Sequence, residues 1–313
     1  MSLLPVEPAW RLAERAEEQS WLVTGLWSEQ AVGIVGGEPK CCKSFLALDL
    51  AVAVASGTPC LRRFAVSRPG RVLLFAAEDA LHIVRRRLEG IAAASGVALA
   101  DLDIQVITAP VLRLDLDADR RNLAETVARL QPRLLILDPF VRLHRIDENA
   151  SGEVAPLLAY LRELQRRHSM AVLVVHHARK GGSARAGQAL RGSSEFHAWG
   201  DSNLYLRRDG ETLSLSVEHR AAASVSPMTI ELAQRGDALA LEVADRREPT
   251  TPAPASLDER IIATLSEADQ PLPFAELRAL CRIRTATLRE RIAVLAATGR
   301  IAKINGGYRL AGH

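Results

Sequence analysis

The sequence predicts an α/β fold with a mostly parallel sheet, followed by a small α+β domain. Apolar runs of strand length alternate with helix-length stretches from residue 31 to residue 177, and the part that follows is rich in strands. A proline- and threonine-rich stretch, 246–256, predicts a linker, and the segment after it has the pattern of three helices and a hairpin. We therefore expect a large domain over 21–245 and a small domain over 257–313.

The composition is that of an ordinary soluble protein. Of the 313 residues, 48% are hydrophobic and 25% are charged, which is enough apolar material for a sizeable core. The net charge of +3 permits a nucleic-acid partner without requiring one. No apolar run approaches the length of a membrane span and the N-terminus lacks the order of a signal peptide, so we expect a cytoplasmic protein with no membrane partner. The four cysteines form no C-x-x-C pair, which fits free thiols in a reducing compartment.

One short segment, GGEPKCCKS at 36–44, lies between an apolar run and an amphipathic one. It predicts a strand, a phosphate-binding loop and a helix. In the G-x-x-x-x-G-K-[ST] pattern, backbone N–H groups and the helix N-terminus surround a phosphate while the lysine reaches the β- and γ-oxygens. Gly37, Lys43 and Ser44 match the pattern, but Cys42 stands in place of its second glycine. The residues of this candidate site are Gly37, Glu38, Pro39, Lys40, Cys41, Cys42, Lys43, Ser44 and Phe45.

The departure at Cys42 leaves two interpretations open. If the backbone there is left-handed, a Cβ atom costs about 1–2 kcal/mol, which one domain tolerates. The alternative to a phosphate site is a glycine-rich turn that happens to precede a Lys-Ser pair. The apolar strand before the segment and the long helix after it favour the phosphate site.

Two stretches flank this loop. Residues 8–19 have the pattern of a short amphipathic helix, so we assign 1–20 to an N-terminal helical leader. On the other side, 71–76 is an apolar run typical of a strand buried on both faces, and Glu78 and Asp79 follow it. Because α/β sheets bind ligands at the carboxyl ends of their strands, this acidic pair is a candidate for chemistry. The arginines at 85–87, on the next predicted helix, we interpret as a solvated face.

The fourth strand carries the candidate metal ligand. After a third strand over 104–108, the apolar run 133–137 ends in Asp138, which precedes a proline. A hydrophobic strand with a terminal aspartate is typical of a Walker B motif, in which the carboxylate holds Mg²⁺ directly or through water. An aspartate that starts a turn is the alternative. The phosphate loop upstream favours the metal role, with Ser44 and Asp138 as the ligands.

The fifth strand, predicted over 171–175, ends in His176 and His177. Either histidine could lie near a γ-phosphate, and a structural role is the alternative. The next segment, 178–194, combines glycines with four cations and no acidic residue. A cationic loop of this kind suits contact with a phosphate backbone, and a plain solvated loop is the alternative. Its cations are Arg179, Lys180, Arg185 and Arg191.

The rest of the chain predicts hairpins and then a winged helix. Strands over 203–207 and 212–218 flank an Asp-Gly turn signal, and the tail has three helices followed by a hairpin. From residue 256 on, the tail has nine basic and six acidic residues. A winged helix places its third helix in the DNA major groove, and Arg284 and Arg289 lie beside or on that helix. We predict DNA contact there, with protein contact as the alternative.

Taken in this order, the motifs resemble those of the RecA-like ATPase family, and most closely the RepA-type hexameric replicative helicases and their AAA relatives. The resemblance covers 21–241 by the order and spacing of the motifs. GGEPKCCKS resembles the family's phosphate loop. FAAED resembles its second acidic motif, which implies that Glu78 polarises the attacking water. LLILDPF resembles its Walker B strand, which implies Mg²⁺ on Asp138.

Three further segments carry the resemblance. VVHHARK is similar to the motif in which a histidine senses the γ-phosphate, a role for His177 or His176. ALRGSSEF is similar to a DNA-contacting loop motif and places Arg191 near the inner face of a ring. EHRAA is similar to the segment that supplies an arginine finger to the adjacent subunit, which implies Arg220, with Arg207 in reserve.

The resemblance implies an ATP-hydrolysing, DNA-binding ring, a homo-hexamer that acts as a DNA helicase or translocase with ATP and Mg²⁺. Hydrolysis would need Lys43 on the phosphates, Glu78 on the water and a finger supplied in trans. The alternative is a nucleotide-switched DNA-binding regulator or a replication or recombination scaffold with little or no unwinding. Cys42 favours that alternative, since a distorted loop could bind nucleotide and turn it over slowly. The candidate DNA-binding residues are Arg179, Lys180, Arg185, Arg191, Arg284 and Arg289.

Overall fold

A nine-stranded sheet forms the centre of the first part of the chain in the computed structural model. The structure describes residues 4, 6–11, 21–177, 194–223, 225–236, 238–244, 257–268, 270–281, 285–304 and 306–311. The chain divides into two compact units, 1–245 and 246–313. Ala9–Arg11 forms a single 3-10 turn. The rest of the predicted leader helix, the basic loop at 178–193, the linker and Arg284 lie outside the described residues.

The elements of the first unit alternate as predicted. Its strands are β1 (Trp21–Val23), β2 (Trp27–Ser28), β3 (Val32–Gly37), β4 (Val72–Ala76), β5 (Ile104–Val106), β6 (Leu134–Asp138), β7 (Ala171–His177), β8 (Ser202–Asp209), β9 (Thr212–His219), β10 (Met228–Arg235) and β11 (Ala238–Val243). Its helices are α1 (Lys43–Ser56), α2 (Leu81–Ala94), α3 (Asp117–Leu130), α4 (Ser151–His168) and α5 (Ser194–Trp199). β1 and β2 pair with each other, apart from the large sheet.

The large sheet has the order β11-β10-β9-β8-β3-β7-β6-β4-β5. From β8 to β5 the neighbouring strands are parallel, and β9, β10 and β11 extend the sheet as antiparallel strands. The predicted α/β class with a mostly parallel sheet is confirmed. Because the parallel strands point the same way, β3, β4, β6 and β7 all deliver their last residues to one edge of the sheet.

The sheet is covered on both faces, which explains why its parallel strands are continuous apolar runs. Along β7, for example, Leu173 and Val175 join the core cluster that includes α1 and α2, whereas Val172 and Val174 join the cluster that includes α3 and α4. This alternation decides which face each residue at a strand end can reach. Among the described residues, no helix combines the length and the apolar character needed to cross a membrane.

Two strands continue further toward the candidate site than the sequence predicts. β3 includes Gly36 and Gly37, and β7 includes His176 and His177. The two extensions pair with each other in parallel register, Gly36 with His176 and Gly37 with His177. This mutual pairing is the reason that neither strand stops at its last aliphatic residue. β5, at the sheet edge, instead ends two residues earlier than predicted, at Val106.

The β8–β9 hairpin turns one residue later than the Asp-Gly signal suggests. Asp209 pairs with Thr212, so Gly210 and Glu211 form the two-residue loop. Gly210 has φ 60°, a left-handed value that favours glycine. The longer β8 carries Arg208 past the pairing of Gly37 with Leu206, toward the loop that follows β3.

A buried ion pair ties the outermost strand to α1. The Asp49 carboxylate, on α1, is fully buried and accepts hydrogen bonds from the Arg62 guanidinium at 2.6 Å and from the Leu61 N–H at 2.8 Å. Burial raises the pKa of Asp49, and the charge of Arg62 opposes that rise. Arg62 also donates to the Leu241 carbonyl oxygen of β11 at 3.3 Å. The Leu241 carbonyl oxygen, on the strand at the edge of the sheet, therefore has a hydrogen-bond partner within the chain.

The described residues of the second unit form three helices and a two-stranded antiparallel sheet, in the predicted order. They are α6 (Leu257–Ser266), α7 (Phe274–Cys281), α8 (Thr285–Ala297), β12 (Ile301–Ile304) and β13 (Gly307–Leu310). Its core draws one or more residues from each helix and from β12, among them Ile261, Leu277 and Leu288. A bridge between Leu272 and Tyr308 joins the segment before α7 to the hairpin.

Candidate active site

The loop that joins β3 to α1 has the backbone geometry of a phosphate loop at both of its glycine slots. A Cβ atom on Gly37 would lie 2.3 Å from the Leu206 carbonyl oxygen of β8, so no larger residue fits there. Cys42 is the N-cap of α1, with φ 62° and ψ 24°. That left-handed conformation is open to glycine at no steric cost. The chain therefore keeps the conformation of the pattern with a cysteine, at a cost of about 1–2 kcal/mol.

We expect Cys42→Gly to raise the free energy of unfolding by up to about 1 kcal/mol, because the relief of left-handed strain exceeds the extra chain entropy of glycine. The variant also removes a thiol from the wall of the cavity described below, so we expect a lower Kd for ATP. Denaturant unfolding and nucleotide titration measure the two effects.

Ser169→Gly is the matched control for Cys42→Gly. Ser169 is also a left-handed cap, at the end of α4 with φ 51°, and it does not line the cavity. This variant should gain comparable stability and keep its Kd for ATP. A Cys42→Gly protein that is less stable and binds ATP no more tightly would show that the thiol supports the loop.

Lys43 is the buried cation of the site. Only 4% of the residue is exposed, and its ammonium donates to the Glu38 carbonyl oxygen at 2.6 Å. The Cys41 thiol sulfur lies 3.8 Å from the same nitrogen and donates to that same carbonyl at 2.7 Å. Burial lowers the pKa of Lys43, and burial raises the pKa of Cys41. The loop thus holds a desolvated positive charge at the start of α1, where the helix dipole is also positive.

Ser44 and Asp138 form the second pair at the site. Ser44 is the second residue of α1 and Asp138 is the last residue of β6, and both line the cavity. Burial raises the pKa of Asp138 to about 6; the nearby Ser44 hydroxyl lowers it in part, and the charges of Asp79 and Glu78 raise it. At neutral pH the carboxylate is therefore mostly ionised.

A hydroxyl and a carboxylate oxygen side by side are the donors that a hard divalent cation prefers, so this pair fits Mg²⁺. Within the described ranges, no group of three or more His, Cys, Asp or Glu side chains is arranged to hold a metal ion. A cation at Ser44 and Asp138 would therefore complete its shell with phosphate oxygens and water, as Mg²⁺ commonly does in nucleotide sites. The donor set matches a metal that arrives with a phosphorylated substrate.

Glu78 lies beyond the end of β4 and is held by two cationic or potentially cationic groups. Its Oε1 accepts a hydrogen bond from the Arg142 Nε at 3.1 Å. Its Oε2 lies 3.7 Å from the His177 Nε2. The side chain remains 43% exposed, so a water molecule can approach the carboxylate. This placement suits a group that orients a nucleophilic water.

The two histidines of β7 lie on opposite faces of the sheet, as the strand alternation requires. His177 lies on the α1 side and lines the cavity; burial and then the charge of Lys43 lower its pKa. His176 is 1% exposed and stacks on Phe196, with ring centres 4.2 Å apart. Burial lowers the pKa of His176 to about 4, so the ring is neutral at physiological pH. Of the two candidates, the structure brings His177 to the cavity.

Arg87 is a cavity residue that the sequence interpretation missed. Its guanidinium forms an ion pair with Asp79 and lies 5.3 Å from the centre of the Phe45 ring. The interpretation of the arginines at 85–87 as a solvated face is therefore wrong for Arg87. The available signal was helical spacing, because Arg87 follows the buried Val84 by three residues and so lies on the inward side of α2.

The structure brings the predicted site residues from four segments to one cavity, although Gly37, Glu38 and Pro39 do not line it. The lining residues are Lys40, Cys41, Cys42, Lys43, Ser44, Phe45, Ala76, Glu78, Asp79, Arg87, Asp138 and His177.

Arg220 lies away from this cavity in the same chain. β9 runs antiparallel to β8, so its last residues lie at the sheet edge opposite the phosphate loop. There the Arg220 side chain donates to the Ala198 carbonyl oxygen and lies 3.4 Å from the Asp201 carboxylate. Arg207, the reserve candidate, is exposed on β8. Its neighbour Arg208, which the sequence did not single out, places its guanidinium 3.7 Å from the Cys42 sulfur.

The basic residues of the second unit are partly engaged within that unit. Arg291, on α8, forms an ion pair with Asp258 of α6. Arg289 is exposed and lies 5.8 Å from the centre of the Phe274 ring. Further along the exposed side of α8, Val294 is 42% exposed. Of the two predicted DNA contacts in this unit, Arg289 is therefore available at the surface, and Arg284 lies outside the described residues.

Comparison with protein families matches residues 2–183 to the AAA domain family, which is more than half of the chain. Among solved structures, the chain is similar to one titled "The Structure Of A DnaB-Like Replicative Helicase And Its Interactions With Primase". The TM-score is 0.53 and the sequence identity 12%, over 68% of this chain and 57% of that chain. At this identity the likeness is one of fold, and the chain spans little more than half of the helicase chain. On the family match, together with a phosphate loop at the head of an α/β sheet, this chain belongs to the AAA domain family.

Proposed function

We propose that this chain is an ATPase of the RepA type that binds DNA as a ring and uses ATP hydrolysis to move along a strand. One observation carries the proposal. A buried lysine, a hydroxyl–carboxylate pair, a half-exposed glutamate and a histidine from four separate segments converge on one cavity. These are the groups that phosphoryl transfer needs, because its catalysis consists mainly of positioning and charge neutralisation.

In this mechanism the loop and Lys43 bind the substrate phosphates. α1 begins at Lys43, so its first N–H groups are available to bind an anion, and the Lys43 ammonium can exchange the Glu38 carbonyl for phosphate oxygens. Ser44 and Asp138 would hold Mg²⁺, which supplies further neutralisation of the phosphate charge. Burial of Lys43 strengthens its attraction for an anion, since the local dielectric is low.

Glu78 then orients the attacking water and accepts its proton. The carboxylate is exposed enough to contact water and lies at the same cavity as Lys43 and Asp138. His177 is adjacent to the Glu78 Oε2 and lies on the α1 side of the sheet, where it can contact the terminal phosphate. Burial and the charge of Lys43 lower the pKa of His177, so the neutral ring is favoured until a phosphate offsets that charge.

The assembly and the DNA contacts complete the proposal. The fold likeness to a DnaB-like replicative helicase supports a ring, and we propose a hexamer in the cytoplasm. Arg220 is exposed at the sheet edge opposite its own cavity, and this position supports a role at the site of a neighbouring subunit. The basic loop 178–193 would contact single-stranded DNA inside the ring. The second unit, which we propose is a winged helix, would contact duplex DNA through Arg284 and Arg289.

Subunit complementation tests the shared site. Lys43→Ala removes the phosphate cation and Arg220→Ala removes the proposed finger, so each variant alone should be inactive. In a mixed ring, about a quarter of the interfaces would pair an intact Lys43 with an intact Arg220. We therefore expect a mixture of the two inactive variants, dissociated and reassembled together, to recover a measurable fraction of the wild-type ATPase rate.

A mixture that stays inactive while size-exclusion chromatography shows mixed rings would contradict Arg220 as the finger. The same experiment with Arg207→Ala then tests the reserve residue. A wild-type protein that is monomeric at every concentration in the presence of ATP would contradict the ring itself.

A second candidate function is a nucleotide-switched DNA-binding regulator. The left-handed cysteine at position 42 favours it, because a side chain in the phosphate loop can allow binding and slow turnover. A strand-displacement assay with a forked DNA separates the two functions. The motor separates the strands while it consumes ATP, whereas the regulator binds the DNA in an ATP-dependent way and leaves it paired.

A further inference from the structure

The Glu78 carboxylate is hydrogen-bonded to Arg142, a residue that lies outside the cavity and outside every motif of the sequence analysis. The Arg142 Nε–H donates a hydrogen bond to Glu78 Oε1 at 3.1 Å. Arg142 follows β6 and Glu78 follows β4, and these two strands are neighbours in the sheet, with Ala76 paired to Asp138. The contact therefore joins the segments that follow the carboxyl ends of two adjacent strands. Arg142 does not line the cavity, which separates it from the groups that would bind nucleotide.

The backbone that carries Arg142 is fixed at several points. Phe140 begins the 3-10 turn that ends at Arg142, and it is fully buried. Its ring makes an edge contact with Phe196 at 4.9 Å and a tilted contact with His144 at 4.6 Å. Leu143 follows Arg142, and its carbonyl oxygen accepts a hydrogen bond from the Leu114 N–H at 2.6 Å. A turn anchored in this way sets the position from which the arginine side chain reaches Glu78.

The contact gives the two oxygens of the Glu78 carboxylate different surroundings. With Oε1 held by Arg142, Oε2 is the oxygen directed to the cavity side, next to His177. A carboxylate fixed by one oxygen loses rotational freedom and presents the other in a defined direction. Both partners are partly exposed, with the Arg142 side chain at 61% and Glu78 at 43%, so the pair adds little to the stability of the fold.

We propose that Arg142 is a positioning residue for Glu78: it holds Oε1 so that Oε2 is aligned with the water that attacks the phosphate. This inference rests on the proposed ATPase function and adds a residue to it. Because Arg142 does not line the cavity and its contact is with the Glu78 carboxylate, it acts on the step in which water attacks and leaves ground-state nucleotide binding unchanged.

The first test is the steady-state kinetics of Arg142→Gln. We expect kcat to fall on the order of tenfold, with KM for ATP and Kd for ADP unchanged. Arg142→Lys keeps a cation within reach and should recover part of the loss. Arg145→Gln is the matched control, because Arg145 is an exposed arginine of the same connection and should leave kcat unchanged. The melting temperature should not change in any of the three variants.

The second test does not require turnover. ADP with aluminium fluoride imitates the transferring phosphoryl group, and its binding in the presence of Mg²⁺ reports the alignment of Glu78 and water. Arg142→Gln should weaken ADP–aluminium fluoride binding on the order of tenfold and leave ADP binding unchanged. In a Glu78→Gln background, the further change Arg142→Gln should have little additional effect, because both changes remove the same alignment.

The outcomes separate this inference from the function on which it rests. Wild-type kcat and wild-type ADP–aluminium fluoride affinity in Arg142→Gln would overturn the positioning role and leave the ATPase intact. A kcat above the wild-type value would also overturn it, because the contact would then restrain Glu78. A wild-type protein that binds ADP, fails to bind ADP–aluminium fluoride and does not hydrolyse ATP would overturn the ATPase function and the role of Arg142 together.

Discussion

Replacement of Lys43 by alanine is expected to abolish ATP hydrolysis and to weaken ATP binding strongly. Lys43 is the buried cation at the start of α1, and its ammonium lies in the loop that would surround the phosphates. Removal of one preorganised electrostatic group from such a site costs on the order of 10²–10³ in kcat. Release of phosphate from ATP and titration with a fluorescent ATP analogue measure the two effects.

Loss of activity in Lys43→Ala must be distinguished from loss of folding. Burial lowers the pKa of Lys43, which means that the folded state disfavours the charged form relative to the unfolded chain. Loss of the charge should therefore not lower the melting temperature. A second variant, Lys43→Met, removes the charge but keeps most of the buried aliphatic volume of the side chain. Lys40→Ala, which removes an exposed cation of the same loop, should have a much smaller effect. Unchanged turnover in Lys43→Ala would show that the cavity is not the catalytic site.

Glu78→Gln is expected to keep ATP binding and to stop turnover. Glutamine has the shape of glutamate, but it cannot accept a proton from water, and loss of such a group reduces kcat by about 10²–10⁴. ATP affinity should stay within a few-fold of the wild type, since Lys43 and the loop provide the phosphate contacts. The measurement combines single-turnover hydrolysis with equilibrium ATP binding.

Asp79→Asn is the matched control for Glu78→Gln. Asp79 is the adjacent acidic residue at the same strand exit, and its side chain pairs with Arg87 instead of Arg142 and His177. We expect a smaller loss of kcat in this variant. An equal loss in both variants would indicate that the total negative charge matters more than the position of Glu78, and a loss of ATP binding in Glu78→Gln would contradict its assignment to the water.

The strand ends of the site could be predicted from the sequence, because each acidic residue follows an apolar run that fixes its place at the sheet edge. Asp138 and Glu78 illustrate this. The choice between His176 and His177 could not be made, since it depends on which face of β7 meets α1. The contact of Arg142 with Glu78 was also beyond sequence reasoning, because it requires β6 and β4 to be neighbours and 64 residues separate the two side chains.

The number of charged residues in a segment was the least reliable basis for predicting which basic side chains are free to bind a partner. The tail is basic overall, yet Arg291 is engaged by Asp258, which lies 33 residues earlier in the sequence. A sequence count cannot distinguish this arginine from the exposed Arg289. For the same reason the sequence predicts a solvated Arg87, whereas its guanidinium lies at the cavity wall near Asp79 and Phe45. Cys42 is the opposite case, since the pattern marked the position and only the backbone angles show its left-handed conformation.

Steady-state ATP hydrolysis by the wild-type 313-residue chain tests the central claim most directly. It should be measured with Mg²⁺ and with EDTA, with and without single-stranded DNA, at low and at moderate salt. We predict a Mg²⁺-dependent rate that DNA stimulates, with weaker stimulation at moderate salt because phosphate contacts release counterions. Tight ATP binding with negligible hydrolysis under every condition would contradict the claim that this cavity is an ATPase site and would favour the nucleotide-switched regulator.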